Sequence, residues 1–192
     1  MLAQVLLFVL DTVCGFLTLA LLVRFALQWA RAPFRNPLGQ FIVAVTDWMV
    51  RPVRRLVPGL FGLDLASLLL AWLWQVVYQG IALGLSGVLF AVTLAPVIVV
   101  VLLAALEVVK IGLYLVMGAV LVSAVFSWVN PYAPLAEVFN TLTRPLLRPF
   151  RRFIPPVGGV DLSPLALLLV LQIALFVLAG MRSSILPMML MQ

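Results

Sequence analysis

Charge is what this 192-residue sequence has least of. Asp, Glu, Lys and Arg make up 9% of it, against 66% apolar residues and a mean hydropathy of +1.28. A soluble domain covers itself with about 25% charged residues. This chain cannot, so most of its surface must face lipid. Histidine is absent altogether, which removes the usual proton shuttle, the commonest metal ligand and the base of most catalytic triads. The single cysteine, Cys14, lies in an apolar run and has no second thiol with which to form an internal disulfide. No HExxH, P-loop or CxxC spacing occurs, and no carboxylates pair at metal spacing. Ser67, Ser127 and Ser163 have no His to activate them. The expectation is a non-enzymatic chain without metal or cofactor. Residues 1–10 carry no basic stretch of the kind that opens a signal peptide.

What charge there is leans one way. Eleven Arg and one Lys stand against six acids, a net +6. Such an excess points to nucleic acid or to a membrane surface. The arginines sit beside apolar spans and few aromatics lie near them for stacking on bases, so the membrane is the reading and nucleic acid is not expected. Val5–Trp29 is long enough to cross a hydrocarbon core of about 30 Å, with Asp11 and Arg24 interrupting it. Arg24 is near enough to the end to snorkel to the interface. Ala30–Leu63 differs in kind: it holds Arg31, Arg35, Arg51, Arg54 and Arg55 among several prolines. Within it Leu38, Phe41, Ile42, Val45 and Met49 recur at helical spacing, with Gln40, Thr46 and Asp47 off the stripe. That pattern predicts an amphipathic helix lying in the interface. Leu65–Leu85 is the next span, and Asp64 is placed to cap its first turn.

The second half repeats the first. A shift of 97 maps Thr46 onto Thr143 and Arg51-Pro52-Val53-Arg54-Arg55 onto Arg148-Pro149-Phe150-Arg151-Arg152. It also maps Pro58 onto Pro155, Gly62 onto Gly159, Asp64 onto Asp161 and Gln75 onto Gln172. Upstream the register changes, and Trp29 matches Trp128 at a shift of 99. A second stripe, Leu135, Val138, Phe139, Leu142 and Leu146, precedes the second arginine motif. The unit is therefore span, amphipathic segment, R-P-x-R-R, turn, span. The fold class that follows is an all-α membrane protein of two tandem hairpin repeats, with residues 1–85 as the first, 107–192 as the second and 86–106 as an apolar connector.

Nine of the twelve basic residues fall in Ala30–Leu63 and Asn130–Asp161, so both segments should be cytoplasmic. An even number of crossings must then separate them. Hydropathy alone offers three: Leu65–Leu85, Gly87–Leu106 and Ile111–Val129. We therefore expect four full spans with both termini outside. Segment 87–106 would be re-entrant, interfacial or the extension of a long helix broken near Pro96. Five spans with inverted repeats is the alternative.

The candidate functional residues follow from this layout. Arg51, Arg54, Arg55, Arg148, Arg151 and Arg152 are expected to meet anionic lipid headgroups or a protein partner at the surface, and the motif's proline to end the flat helix. Asp64 and Asp161 are helix caps. Asp11, Glu107, Lys110, Gln75 and Gln172 are polar groups within spans. The register places Asp11 opposite Lys110, while Glu107 and Lys110 could instead pair locally at i, i+3. Gln75 and Gln172 each lie 11 residues beyond the capping Asp, about 16 Å into the bilayer, and are read first as interhelical hydrogen bonders.

Three stretches carry a family resemblance: Ser127-Trp128-Val129-Asn130-Pro131; Leu142-Thr143-Arg144-Pro145-Leu146-Leu147-Arg148-Pro149-Phe150-Arg151-Arg152; and Ile154-Pro155-Pro156 through Pro164. They resemble the YggT family, called YlmG in Gram-positive bacteria and plastids. The first copy departs from the pattern, with Trp48 at the position of Pro145 and Leu65-Ala66-Ser67 in place of Leu162-Ser163-Pro164. The resemblance implies a multi-pass protein of the bacterial inner membrane with no assigned reaction. It implies a scaffold or assembly factor tied to osmotic-stress tolerance, cell division, envelope or nucleoid organisation, or plastid cytochrome assembly. Its partners would be anionic lipids, membrane or division-associated proteins, and further copies of itself. A small oligomeric channel or transporter for ions or osmolytes is the alternative, motivated by the in-span polar groups.

Overall fold

The computed structural model describes residues 1–57, 59, 63–85, 95–154 and 161–185. Six helices account for nearly all of them: α1 (Leu2–Trp29), α2 (Pro37–Leu56), α3 (Leu65–Leu85), α4 (Ala95–Val129), α5 (Pro134–Phe153) and α6 (Ser163–Ile185). The expected turn residues Pro58, Gly62 and Pro155 to Gly159, and the stretch 86–94, lie outside the described residues.

Helices α1, α3, α4 and α6 are long and apolar enough to cross a membrane, which makes the chain a multi-pass membrane protein. No more than 28% of any of these spans is buried. Their outward faces carry Phe8, Phe16, Val97 and Phe176, a surface suited to lipid and unsuited to water. The ambiguous segment resolves over residues 95–106, which form the first three turns of α4. A proline at the second helical position has little backbone bonding to disrupt, so Pro96 starts this helix and does not break it. Over residues 95–106 the helix runs on into Ile111–Val129 without interruption.

Helices α2 and α5 link the spans of each repeat. Asn36 caps α2 through a 2.8 Å bond from the Gly39 N–H, and Pro37 supplies a preset first turn. Gly39 has to be glycine, because a Cβ there would stand 2.7 Å from the Phe34 carbonyl oxygen. Both helices run through their prolines, α2 past Pro52 to Leu56 and α5 past Pro145 and Pro149 to Phe153. The expectation that the motif proline ends the helix is thus corrected. All three prolines face outward, so the carbonyls they leave unbonded can be satisfied outside the protein.

The two repeats are built alike at their centres. Leu21, Val50 and Ala71 are core residues of the first; Val120, Leu147 and Leu167 are core residues of the second. Leu21 and Val120 correspond at the shift of 99, and Val50 and Leu147 at the shift of 97. A third cluster joins the copies: Leu27 and Ala32, at the end of α1, pack on Val138 and Leu142 of α5. This contact brings α5 to the same end of the bundle as α2. Helix α6 packs on α4 and α5 at the edge, so much of its surface stays outward.

Candidate functional site

The basic end of the bundle is where the charge gathers, and the two copies arrange it differently. In the first, Arg24 of α1 is 5% exposed and does not snorkel. It lies 2.9 Å from Asp47 and 3.4 Å from Asp64, and it donates to the Thr46 hydroxyl at 2.8 Å. A buried guanidinium is tolerable only when charges and acceptors surround it, and these partners supply both. Thr46, expected off the apolar stripe, is fully buried. The inward face of α2 is Gly39, Ile42, Thr46, Met49 and Val50, while Phe41 and Trp48 point away. The stripe is rotated toward Arg24, because satisfying a buried charge outweighs burying one more phenyl ring.

The motif arginines join this network. Arg51 pairs with Asp47 at 2.8 Å. Arg54 bonds to both oxygens of Asp64 and donates to Gln28 Oε1 at 3.1 Å. Asp64 also accepts from the Ser67 hydroxyl at 2.7 Å and, at 3.4 Å, from its backbone N–H, the expected N-cap. Burial pushes the Asp64 carboxyl up, but the Arg54 and Ser67 hydrogen bonds and the Arg54 charge hold it below the ordinary carboxylate range. The same hydrogen bond to Asp64 raises Arg54.

In the second copy Ser123 stands where the register places Arg24, and Arg144 stands where it places Asp47. The buried charge network is replaced by neutral bonds: Ser123 Oγ to Asn140 Oδ1 at 2.6 Å and Thr143 Oγ1 to Ser123 Oγ at 3.4 Å. Only the outer pair recurs, Arg151 with Asp161 at 2.9 Å, with both side chains about half exposed. Asp161 accepts from the Ser163 N–H at 2.9 Å and so caps α6. Burial again pushes this carboxyl up, while the Ser163 and Arg151 hydrogen bonds bring it below its ordinary value.

Two blocks of this chain, residues 3–85 and 102–182, match the family model described as CCB3/YggT. The chain belongs to the CCB3/YggT family. It is 40% identical to YggT of Escherichia coli over 169 residues, covering 86% of this chain and 85% of that one. An uncharacterized protein of Pseudomonas aeruginosa is 39% identical over 173 residues, 86% and 84% of the two chains. YlmG homolog protein 2, chloroplastic, of Arabidopsis thaliana is 52% identical over a shorter stretch of 52 residues, 26% of this chain and 20% of that protein. No solved structure matches.

Of the six motif arginines in these YggT repeats, Arg51, Arg54 and Arg151 are therefore engaged within the protein. Among the described residues, Arg55, Arg148 and Arg152 have no carboxylate partner, and neither has Arg144 outside the motif. Reading the motif alone misses Arg24 and Asp47. The signal was present in the register: one copy has both charges of a pair, and the other has Ser123 and Arg144 at those positions.

The in-span groups divide as well. Lys110 pairs with Glu107 on the same helix, and Arg182 of α6 reaches Glu107 at 2.7 Å. The local pair forms, and no Asp11–Lys110 ion pair does. Asp11, Gln75, Glu107 and Lys110 nevertheless line one cavity of about 620 Å³ between the repeats. Gln75 is buried and donates to Thr18 Oγ1 at 3.0 Å, the interhelical role expected of it. Gln172 is exposed on α6 and does not pair with Gln75, because its helix lies at the bundle edge. The Gln75 Oε1 atom is buried without a partner. An orphaned acceptor costs about 1–3 kcal/mol, more than the roughly 1 kcal/mol of one neutral hydrogen bond. Gln75→Leu should therefore leave the thermal midpoint unchanged or raise it; a fall of several degrees would mean that the amide contributes more than its bond to Thr18.

Proposed function

We propose that this YggT-family protein is a non-enzymatic scaffold of the bacterial inner membrane. It presents α2 and α5 at one end of the bundle, on the cytoplasmic face, where they engage anionic lipid and recruit partner proteins in envelope organisation, cell division or osmotic-stress tolerance. The observation that carries this reading is the position of both basic helices at one end of the bundle, with arginines left over after the internal ion pairs are counted. Each arginine near an anionic surface contributes about 1 kcal/mol, and the apolar residues beside them add hydrophobic anchoring. Neither contribution suffices alone.

The test uses full-length protein purified in mild detergent and in cells. Arg55, Arg144, Arg148 and Arg152→Ala together should lower the co-purifying anionic lipid severalfold, and the loss should be mimicked by high salt. A photo-crosslinker at Trp48, which is 65% exposed, should capture a membrane or division-associated protein. Unchanged lipid together with no adduct would sink the scaffold reading. A second reading, a small oligomeric channel or transporter, is supported by the inter-repeat cavity, which gathers four of the five in-span polar groups. It requires a wet path near the midplane. In the same preparation, ion or osmolyte flux through reconstituted vesicles that is abolished by Asp11→Asn and Lys110→Met would favour it over the scaffold.

A further inference from the structure

The divergence between the two copies has left an opening where the first copy is closed. A cleft of about 860 Å³ separates the end of α1 from α5. Arg31, Arg144, Arg148 and Arg151 line it, and no carboxylate does. Asp161 neutralises Arg151, and the other three arginines have no carboxylate partner among the described residues. Glu137, the acid on the same face of α5, lies one turn before Thr141 and pairs with none of them. In the first copy the matching ground has its charges paired: Asp47, in the place of Arg144, contacts both Arg24 and Arg51.

Behind the cleft lies an apolar cavity of about 410 Å³ between α1, α3, α4 and α5. Leu22, Phe25, Gly112, Leu115 and Leu146 are in its wall. Trp29 lines both spaces, so a cationic chamber opens beside an apolar one. Along α1 the apolar chamber runs from Leu22 to Trp29, about 10 Å at the helical rise. A third observation concerns Arg31, whose φ of +54° is a left-handed conformation that a β-carbon disfavours. An arginine kept there, where glycine or asparagine would relax the turn, is held against local preference at the cleft's edge.

We propose that this is a discrete site for one doubly anionic phospholipid of the cardiolipin type. Its two phosphodiesters sit among Arg31, Arg144 and Arg148, and an acyl chain enters the apolar cavity past Trp29. Three uncompensated cations match two phosphodiesters better than one. The arginine fork suits phosphate oxygens, and Arg144 and Arg148 stand one helical turn apart on the same face. A basic pocket between spans beside an apolar one is the form such recognition takes. The proposal rests on the scaffold reading, which needs only diffuse attraction to anionic lipid. This site adds stoichiometry, headgroup preference and a place in the second repeat.

The experiment is native mass spectrometry of delipidated full-length protein titrated with cardiolipin, phosphatidylglycerol or phosphatidylethanolamine. The parent should hold one cardiolipin at least tenfold more tightly than either other lipid. Arg144→Gln with Arg148→Gln should remove that preference. Arg31→Asn should weaken it while keeping the fold, since asparagine tolerates the left-handed turn. Gly112→Leu tests the apolar half: Gly112 lines the cavity and a Cβ there meets nothing within 4 Å, so the added side chain starts from open space. It should reduce cardiolipin retention severalfold and leave the thermal midpoint intact. Arg35→Gln, an exposed arginine that does not line the cleft, should leave the preference unchanged. A cardiolipin adduct that survives the double arginine variant, or Gly112→Leu binding like the parent, overturns the site. Anionic lipid enriched without a saturable single adduct overturns the site and leaves the scaffold reading standing. No enrichment of any anionic lipid removes both.

Discussion

Asp64→Ala should cost this protein about 3–5 kcal/mol of stability, the range for stripping one partner from a buried ion pair. The carboxylate is 2% exposed and holds three groups at once: Arg24, Arg54 and the first turn of α3. Its loss would leave Arg24 buried with Asp47 as its one remaining counterion. Asp161→Ala removes the corresponding residue of the second copy, but there the pair is about half exposed and no buried arginine depends on it. Solvent screening limits that pair to about 0–1 kcal/mol, and the cap adds about 1 kcal/mol. Unfolding both variants in mixed micelles should show the first losing at least twice what the second does. Equal losses would mean that the buried network contributes nothing beyond capping.

Acid should act on the same residue. The folded-state carboxyl of Asp64 titrates below its unfolded value. Its contribution is therefore complete above the unfolded pKa of about 3.9, and it disappears as pH falls through the lower folded value. The parent should lose stability on acidification below about pH 4. Asp64→Asn, which keeps a capping side chain but has no proton to gain, should show a flatter acid limb.

Replacing Arg148, Arg151 and Arg152 with Glu should turn the second hairpin around or prevent its insertion. The segment Asn130–Asp161 has four arginines, and the substitution leaves Arg144 alone. Orientation follows the Lys and Arg count of short loops flanking spans, so this loop would no longer be held on the cytoplasmic side. Tyr132, 94% exposed in the α4–α5 turn, is the place for a reporter. With Tyr132→Cys in a Cys14→Ala background, an impermeant maleimide added from outside should label the glutamate variant strongly and the parent hardly at all. Labelling of the parent would place the basic helices outside and reverse the topology. The same substitutions break the Arg151–Asp161 pair, but that pair is too exposed to account for a reversed helix.

The sequence by itself determined the class of the molecule and its repeat. Sparse charge and long apolar runs dictate membrane spans, since no other solvent accepts such a surface. The recurrence of R-P-x-R-R, of the threonine pair and of the capping aspartates marks the duplicated hairpin, because local patterns survive in the linear order. Tertiary structure decided how the charges were used. Arg24 reads as a snorkelling arginine until α2 rotates Thr46 and Asp47 against it, a contact between residues more than twenty positions apart. Gln75 and Gln172 look equivalent until α3 is seen inside the bundle and α6 at its edge. The arginines of the two motifs are identical in spacing, yet Asp47 pairs with Arg51 in one, while Arg144 stands at that position beside Arg148 in the other. Helical periodicity specifies which residues share a face. The facing of that face, toward lipid, water or a buried counterion, depends on how the repeats pack together, and no single repeat contains that information.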